Sequence, residues 1–477
     1  MVYMYSLMSL RGGRTILNSQ QRNKLLQKIL DSVTDFRYMT QDTNGIEDED
    51  VESEPEHPLV SRPDFVPDTS RLVDNNISCL VGEASGVMQT SRQQNKSIIP
   101  VIERLNLNDG SSRSETCNLG NNFLPNNPRM LKNYYSRISC GIYSEDGKYF
   151  LSATHDKQLY VYSTHNGRLK PYRTIQACDV GWSILSVAFS PDNSYIAYST
   201  WSETLFQCPL LMKNENDSSN GMQTLQLHPK ERPFCVFSIA FSNDGRNIIC
   251  GANDNRIHMY DRQRNQKFSE IESHDKHVNA IHFADDSSQI FFSGSDDGLC
   301  KVWDMRRDKM VGMFAGHQDG ITYIDSRGDQ RYLISNSKDQ TIKLWDMRRY
   351  STETVSQSMS WDYRINHLTA AERGCTTLLK NDTSVMTYYG HSIRKTLIRC
   401  HFSPKITTGQ RYIYTGDSRG RLIIYDLLTG KIVHNVRGHT GCVRDVSWHP
   451  YGHNILTSSW DGKLCEWSYM GDRSPDV

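Results

Sequence analysis

The chain has 477 residues, 37% of them hydrophobic, and its 54 Lys plus Arg balance 54 Asp plus Glu, giving a formal net charge of zero. That length admits one large core or two or three smaller ones with tails, and the charge balance supplies no global pull toward nucleic acid or anionic membrane. The 12 cysteines are scattered without a CxxC pair, which argues against a disulfide framework or structural zinc and for a reducing compartment.

The opening MVYMYSLMSL is apolar, but it has no preceding basic region and is too short to cross a bilayer, so the protein reads as soluble and intracellular. Residues 1–128 are rich in Ser, Asn, Gln and acid, as in 47-EDEDVESEPE-56 and 106-NLNDGSSRSE-115. So little apolar surface cannot offset chain entropy, and a largely disordered extension is expected there. One island differs: Leu25, Leu26, Ile29, Leu30 and Val33 recur at helical spacing, predicting a short amphipathic helix over about 20–38.

From residue 136 onward, short β-branched and aromatic runs alternate with Asp, Gly, Asn and Ser turns. The clearest copies are 291-FFSGSDDGLCKVWD-304, 332-YLISNSKDQTIKLWD-346, 412-YIYTGDSRGRLIIYD-426 and 455-ILTSSWDGKLCEWS-468; weaker ones end at Tyr162 and Tyr260. Trp303 follows Tyr260 by 43 residues, Trp345 follows Trp303 by 42 and Trp467 follows Tyr425 by 42. This is the WD-repeat period of about 40–45 residues. A degenerate copy at 185–209, with Cys208 and Pro209 in place of the aromatic-acid pair, brings the number to seven. The expected fold is therefore all-β: a seven-bladed WD-repeat β-propeller over 129–470, following the mostly disordered N-terminal extension. The long gap between Trp345 and Tyr425 is read as one blade plus an insertion at about 350–383. Ring closure requires the last blade to borrow an outer strand from ahead of the first, expected within Phe123 to Tyr135.

Gly316-His317, Gly390-His391 and Gly438-His439 open three units, with Lys276-His277 as a variant, and Asp156, Asp254, Asp297, Asp339 and Asp461 each stand six residues before an aromatic marker. Because these residues repeat from blade to blade, whereas an active site needs one unique constellation, they read as structural networks. No nucleophile elbow, phosphate loop or paired metal-ligand spacing is found, so no catalytic residue, cofactor or metal is expected.

Two consecutive blades end alike, in Trp303-Asp304-Met305-Arg306 and Trp345-Asp346-Met347-Arg348, and the other blades do not. Equivalent positions on adjacent blades lie side by side, so Arg306 and Arg348 should present neighbouring guanidinium forks suited to carboxylates and carbonyls on a partner. A third copy, Trp361-Asp362-Tyr363-Arg364, lies inside the insertion and follows no strand-like run.

These tandem boxes resemble those of the WD-repeat substrate receptors that dock onto the DDB1-type (damaged-DNA-binding) adaptor of cullin-4 RING ubiquitin ligases. Stretches such as 178-CDVGWSILSVAFSPD-192 and 441-GCVRDVSWHPYGHNILTSSWDG-462 carry the resemblance across the propeller; it is weak before residue 119. The resemblance implies a non-catalytic receptor that binds the adaptor through Asp304, Arg306, Asp346 and Arg348 and presents protein substrates, stress-response transcription factors among them, in cytoplasm and nucleus. The balanced charge leads us to expect no direct contact with nucleic acid or membrane. The 20–38 helix is either a second adaptor contact or a self-associating or incidental helix in a disordered tail, and a ligase-independent scaffold for signalling or RNA processing is the alternative reading of the whole.

Overall fold

The computed structural model describes residues 67–87, 113–165, 168–211, 221–227, 233–307, 309–352, 382–394 and 396–470. The helix expected at 20–38, the acidic run 47–56 and the Trp361 to Arg364 box lie outside them.

Seven four-stranded antiparallel sheets form a ring. With strands lettered a to d in chain order, strand a of each blade abuts strand a of the next all the way round, blade 7 returning to blade 1. Sandwiching between blades buries strands b and c on both faces, so they read as near-continuous apolar runs; Tyr412–Gly416 and Arg421–Asp426 are buried throughout. The outer strand has one wet face, and Ile432–Arg437 alternates accordingly.

The degenerate copy is a complete blade 2, with Thr204–Pro209 as strand c. Blade 5 takes Thr341–Asp346 as strand c and Met386–Tyr389 as strand d, which places the insertion in its c–d connection. Ring closure follows the expectation: Asn127–Asn133 pairs antiparallel with Lys463–Ser468, from Asn127 opposite Ser468 to Asn133 opposite Lys463, with a bulge between Met130 and Lys132.

The repeated aspartate has a local cause in the b–c turn. Asp297, Asp339 and Asp461 each accept the backbone N–H two residues on, at 2.9 Å, across a left-handed residue, Gly298, Gln340 or Gly462. The aspartate closes the turn and the left-handed residue lets the chain reverse, a pairing that favours Asp-Gly.

Composition gave too little order to part of the N-terminal region. Residues 67–87 form two short helices, α1 (Ser70–Val73) and α2 (Ile77–Ala84), and α3 spans Arg113–Gly120. Leu72, Ile77 and Val81 are buried in one cluster with Tyr332, Tyr388, Phe402, Tyr425 and Leu427 of blades 5 and 6. Each such aliphatic side chain contributes about 1.5–3 kcal/mol, so three suffice to dock a segment whose own helix propensity is slight. Asn121 Nδ2 donates to the Ser85 carbonyl at 3.3 Å, linking the ends of α2 and α3.

Candidate functional site: the arginine boxes on one face of the ring

Because strand direction alternates, the a–b and c–d connections emerge on one face of the disc and the b–c and d–a connections on the other. Both boxes begin at the last two residues of a strand c and so open on the a–b/c–d face. Trp303 and Trp345 point inward and are buried, their indole N–H groups donating to Ser293 and Ser335 hydroxyls at 2.8 and 2.7 Å.

Asp304 and Asp346 organise the turn that follows. Oδ1 of each accepts the backbone N–H of the box arginine at 3.0 Å. The arginine then folds back onto the same carboxylate: Arg306 Nε and Nη2 lie 2.9 and 2.7 Å from Asp304, and Arg348 Nε and Nη2 lie 3.2 and 2.8 Å from Asp346. Each fork is thus pinned by one edge, while the side chains stay 61% and 56% exposed. Among the described residues no partner reaches Nη1 of either, and that amino group is the outward-facing donor. Planar, paired anchoring of this kind reduces the rotamer freedom an arginine loses on binding.

The Arg306 fork and backbone N–H bring the Asp304 carboxyl down to about 2. Burial alone would raise that of Asp346, but the Arg348 fork, its backbone N–H and the Asn75 amide outweigh it and hold the group below the usual range. Both boxes are charged pairs at neutral pH.

The two boxes differ in what lies behind them. Asp346 is fully buried, and its Oδ2 also accepts from Asn75 Nδ2 at 3.1 Å, with Arg331 Nη2 at 3.7 Å. Asn75 sits between α1 and α2, and its Oδ1 accepts the Tyr332 hydroxyl at 2.5 Å. The box on blade 5 is therefore completed by the N-terminal segment, whereas that on blade 4 is built by its own blade. Asn75 was not among the sequence candidates; the signal available was the apolar run through Leu72, Val73, Ile77, Leu80 and Val81 within a polar extension.

The repeated His and Asp residues lie toward the opposite face. His317 contacts Asp339 Oδ2 through Nδ1 at 2.9 Å and Ser335 Oγ through Nε2 at 2.7 Å; His439 joins Asp461 and Thr457 in the same way. In blade 4 the position is filled by His274, which contacts Asp297 at 2.8 Å and Ser293 at 2.7 Å. The expected variant, His277, is not in the network: the connection enters strand a three residues earlier than the Lys276-His277 alignment implies. His391 departs too, meeting the Tyr425 hydroxyl and Asn336, and Asp254 turns to His258 at 2.9 Å. Among the described residues no three His, Cys, Asp or Glu side chains converge as metal ligands would, and no helix is long and apolar enough to cross a membrane.

The family model described as "WD domain, G-beta repeat" matches residues 221–261, 265–304, 308–346 and 430–468, each match running from the outer strand of one blade through strands a to c of the next, which are blades 3, 4, 5 and 7. The "DDB1- and CUL4-associated factor 11 homolog" of Caenorhabditis elegans is 38% identical over 73% of this chain and 64% of its own length, so the chain spans under two thirds of that relative. The "LEC14B protein" of Lithospermum erythrorhizon is 38% identical over 76% of this chain and 80% of its own, and the "LEC14B homolog" of Prunus armeniaca is 34% identical over 87% and 86%. With a seven-bladed ring and this likeness over most of its length, the chain belongs to the WD-repeat family that contains the LEC14B proteins and the DDB1- and CUL4-associated factor 11 homologues.

Proposed function

We propose that this protein is a non-catalytic substrate-recognition subunit of a cullin-4 RING ubiquitin ligase, holding the adaptor DDB1 on the a–b/c–d face and a target protein elsewhere on the ring. The observation that carries the reading is the pair of adjacent, carboxylate-anchored and outward-facing forks, Arg306 and Arg348. The name of the Caenorhabditis elegans relative points to the partner. Such a receptor needs no active site of its own, since it acts by raising the local concentration of substrate beside the ligase. It would work wherever that ligase does, in cytoplasm and nucleus.

Affinity purification from cells tests this. DDB1 should co-purify with the wild-type chain and be lost from Arg306→Ala/Arg348→Ala. Absence of DDB1 from the wild-type complex would favour the ligase-independent scaffold.

A further inference from the structure

Blade 3 ends in Tyr260-Asp261-Arg262-Gln263, with glutamine where blades 4 and 5 carry the box arginine. Its turn is nevertheless built like theirs: Asp261 Oδ1 accepts the backbone N–H of Gln263 at 2.9 Å and of Arg264 at 3.0 Å. The guanidinium comes from another segment. Arg246, in the a–b turn of the same blade, places Nε and Nη2 at 3.2 and 3.0 Å from Asp261 Oδ2 and leaves its side chain 41% exposed. We infer that Arg246 and Asp261 form a third fork, so that the docking row covers blades 3, 4 and 5 and takes carboxylates from the surface of the same adaptor. This inference rests on the receptor reading above.

The row has natural ends. Blade 2 finishes strand c in Cys208-Pro209 and has no carboxylate to anchor a fork. Blade 6 has the corresponding pair, Arg411 and Asp426 at 2.9 Å, but that arginine is only 22% exposed. Beside it the N-terminal segment already occupies the surface: a Cβ on Gly430 would meet Pro67 at 2.8 Å, and Leu428 packs against the cluster that buries α1 and α2. A partner gripping Arg306 and Arg348 therefore finds open surface toward blade 3.

Between the third fork and the first box lies an open groove of about 570 Å³, lined by Arg246, Asp261, Arg264, Phe268, Met305 and Arg306. Phe268 is exposed in its wall and Arg264 adds a largely exposed second cation. The groove also carries Asp244 and Asp286, so its arginines stand among carboxylates beside Phe268 and Met305, and it fits an adaptor segment whose apolar side chain lies on Phe268 and whose acidic one meets the Arg246 and Arg306 forks.

The test titrates purified DDB1 into the full chain carrying Arg246→Ala, Arg264→Glu or Arg306→Ala/Arg348→Ala, with thermal melting to confirm folding. Arg246→Ala is expected to weaken binding about tenfold, the scale of one charged contact, and Arg264→Glu, which keeps the backbone N–H that the Asp261 turn uses but reverses the side-chain charge beside that carboxylate, at least as much. If both bind within about twofold of wild type while the double variant fails, the third fork is wrong and the adaptor reading stands. If the double variant also binds normally, the adaptor reading itself falls. Normal DDB1 binding with loss of a different acidic partner would likewise overturn the assignment to the adaptor.

Discussion

His274 and His277 stand three residues apart in one connection, and their replacement by alanine should have very different consequences. The imidazole of His274 is enclosed, with Nδ1 2.8 Å from Asp297 Oδ2 and Nε2 2.7 Å from Ser293 Oγ, which in turn accepts the Trp303 indole N–H at 2.8 Å. This fixes a neutral ring that donates through Nδ1 and accepts through Nε2. Burial lowers the pKa of His274, overriding Asp297, which would raise it. His274→Ala strands a mostly buried carboxylate and a buried hydroxyl and leaves a ring-sized void. The lost charged hydrogen bond is worth about 1.5–3 kcal/mol and the neutral one about 1. With the void, about 3–5 kcal/mol is expected, in the range for breaking a buried pair. His277, partly exposed and with only a tilted ring contact to Phe237 at 6.2 Å, should cost under about 1 kcal/mol. Urea unfolding followed by tryptophan fluorescence measures both. Equal destabilisation by the two substitutions, or a larger loss from His277→Ala, would refute the network as described.

Asn75→Ala should weaken DDB1 binding about fivefold in the wild-type and Arg306→Ala backgrounds but not in Arg348→Ala, because Asn75 acts through the Asp346 to Arg348 pair; a double-mutant cycle by calorimetry decides it, and equal effects in all backgrounds would count against the coupling. Gly409→Val should free α2, since Gly409 has φ +66° and a Cβ there would meet the Ala84 carbonyl carbon and oxygen at 2.6 and 2.7 Å; the readout is faster limited proteolysis within 67–87. Acid should destabilise the ring. Burial takes His391 down to about 3, below its unfolded value of about 6.5, so the unfolded chain binds the extra proton and stability falls as pH drops below about 6.5. That one group gives about 2 kcal/mol between pH 6.5 and 5, and His391→Gln should show a shallower loss in melts across this range.

The ring was legible because its signal repeats. Seven spaced turn and strand patterns announce the blades even where Cys208 and Pro209 replace the usual pair, and the shortage of strands at the C-terminal end pointed to the closing strand. The boxes were legible as departures from the repeat. What escaped depends on contacts between separate segments: Asn75 reaches Asp346 across 271 residues, and Arg246 meets Asp261 only once the a–b and c–d turns are folded side by side. Composition also left 67–87 without order, because the residues that bury its Leu72, Ile77 and Val81 lie in blades 5 and 6. The substitution of His274 for His277 reflects the same limit, since a loop's register is set by which imidazole the Asp297 and Ser293 side chains can reach.

The most direct test of the account is the affinity of purified DDB1 for the wild-type chain and for Arg306→Ala, Arg348→Ala and the double variant. Each single substitution should weaken binding about tenfold and the double about a hundredfold or more; Arg306→Ala should leave the melting temperature nearly unchanged, and Arg348→Ala, which strips a fork from the buried Asp346 carboxylate, should lower it while the chain stays folded. A folded double variant that binds DDB1 within about twofold of wild type would contradict the account.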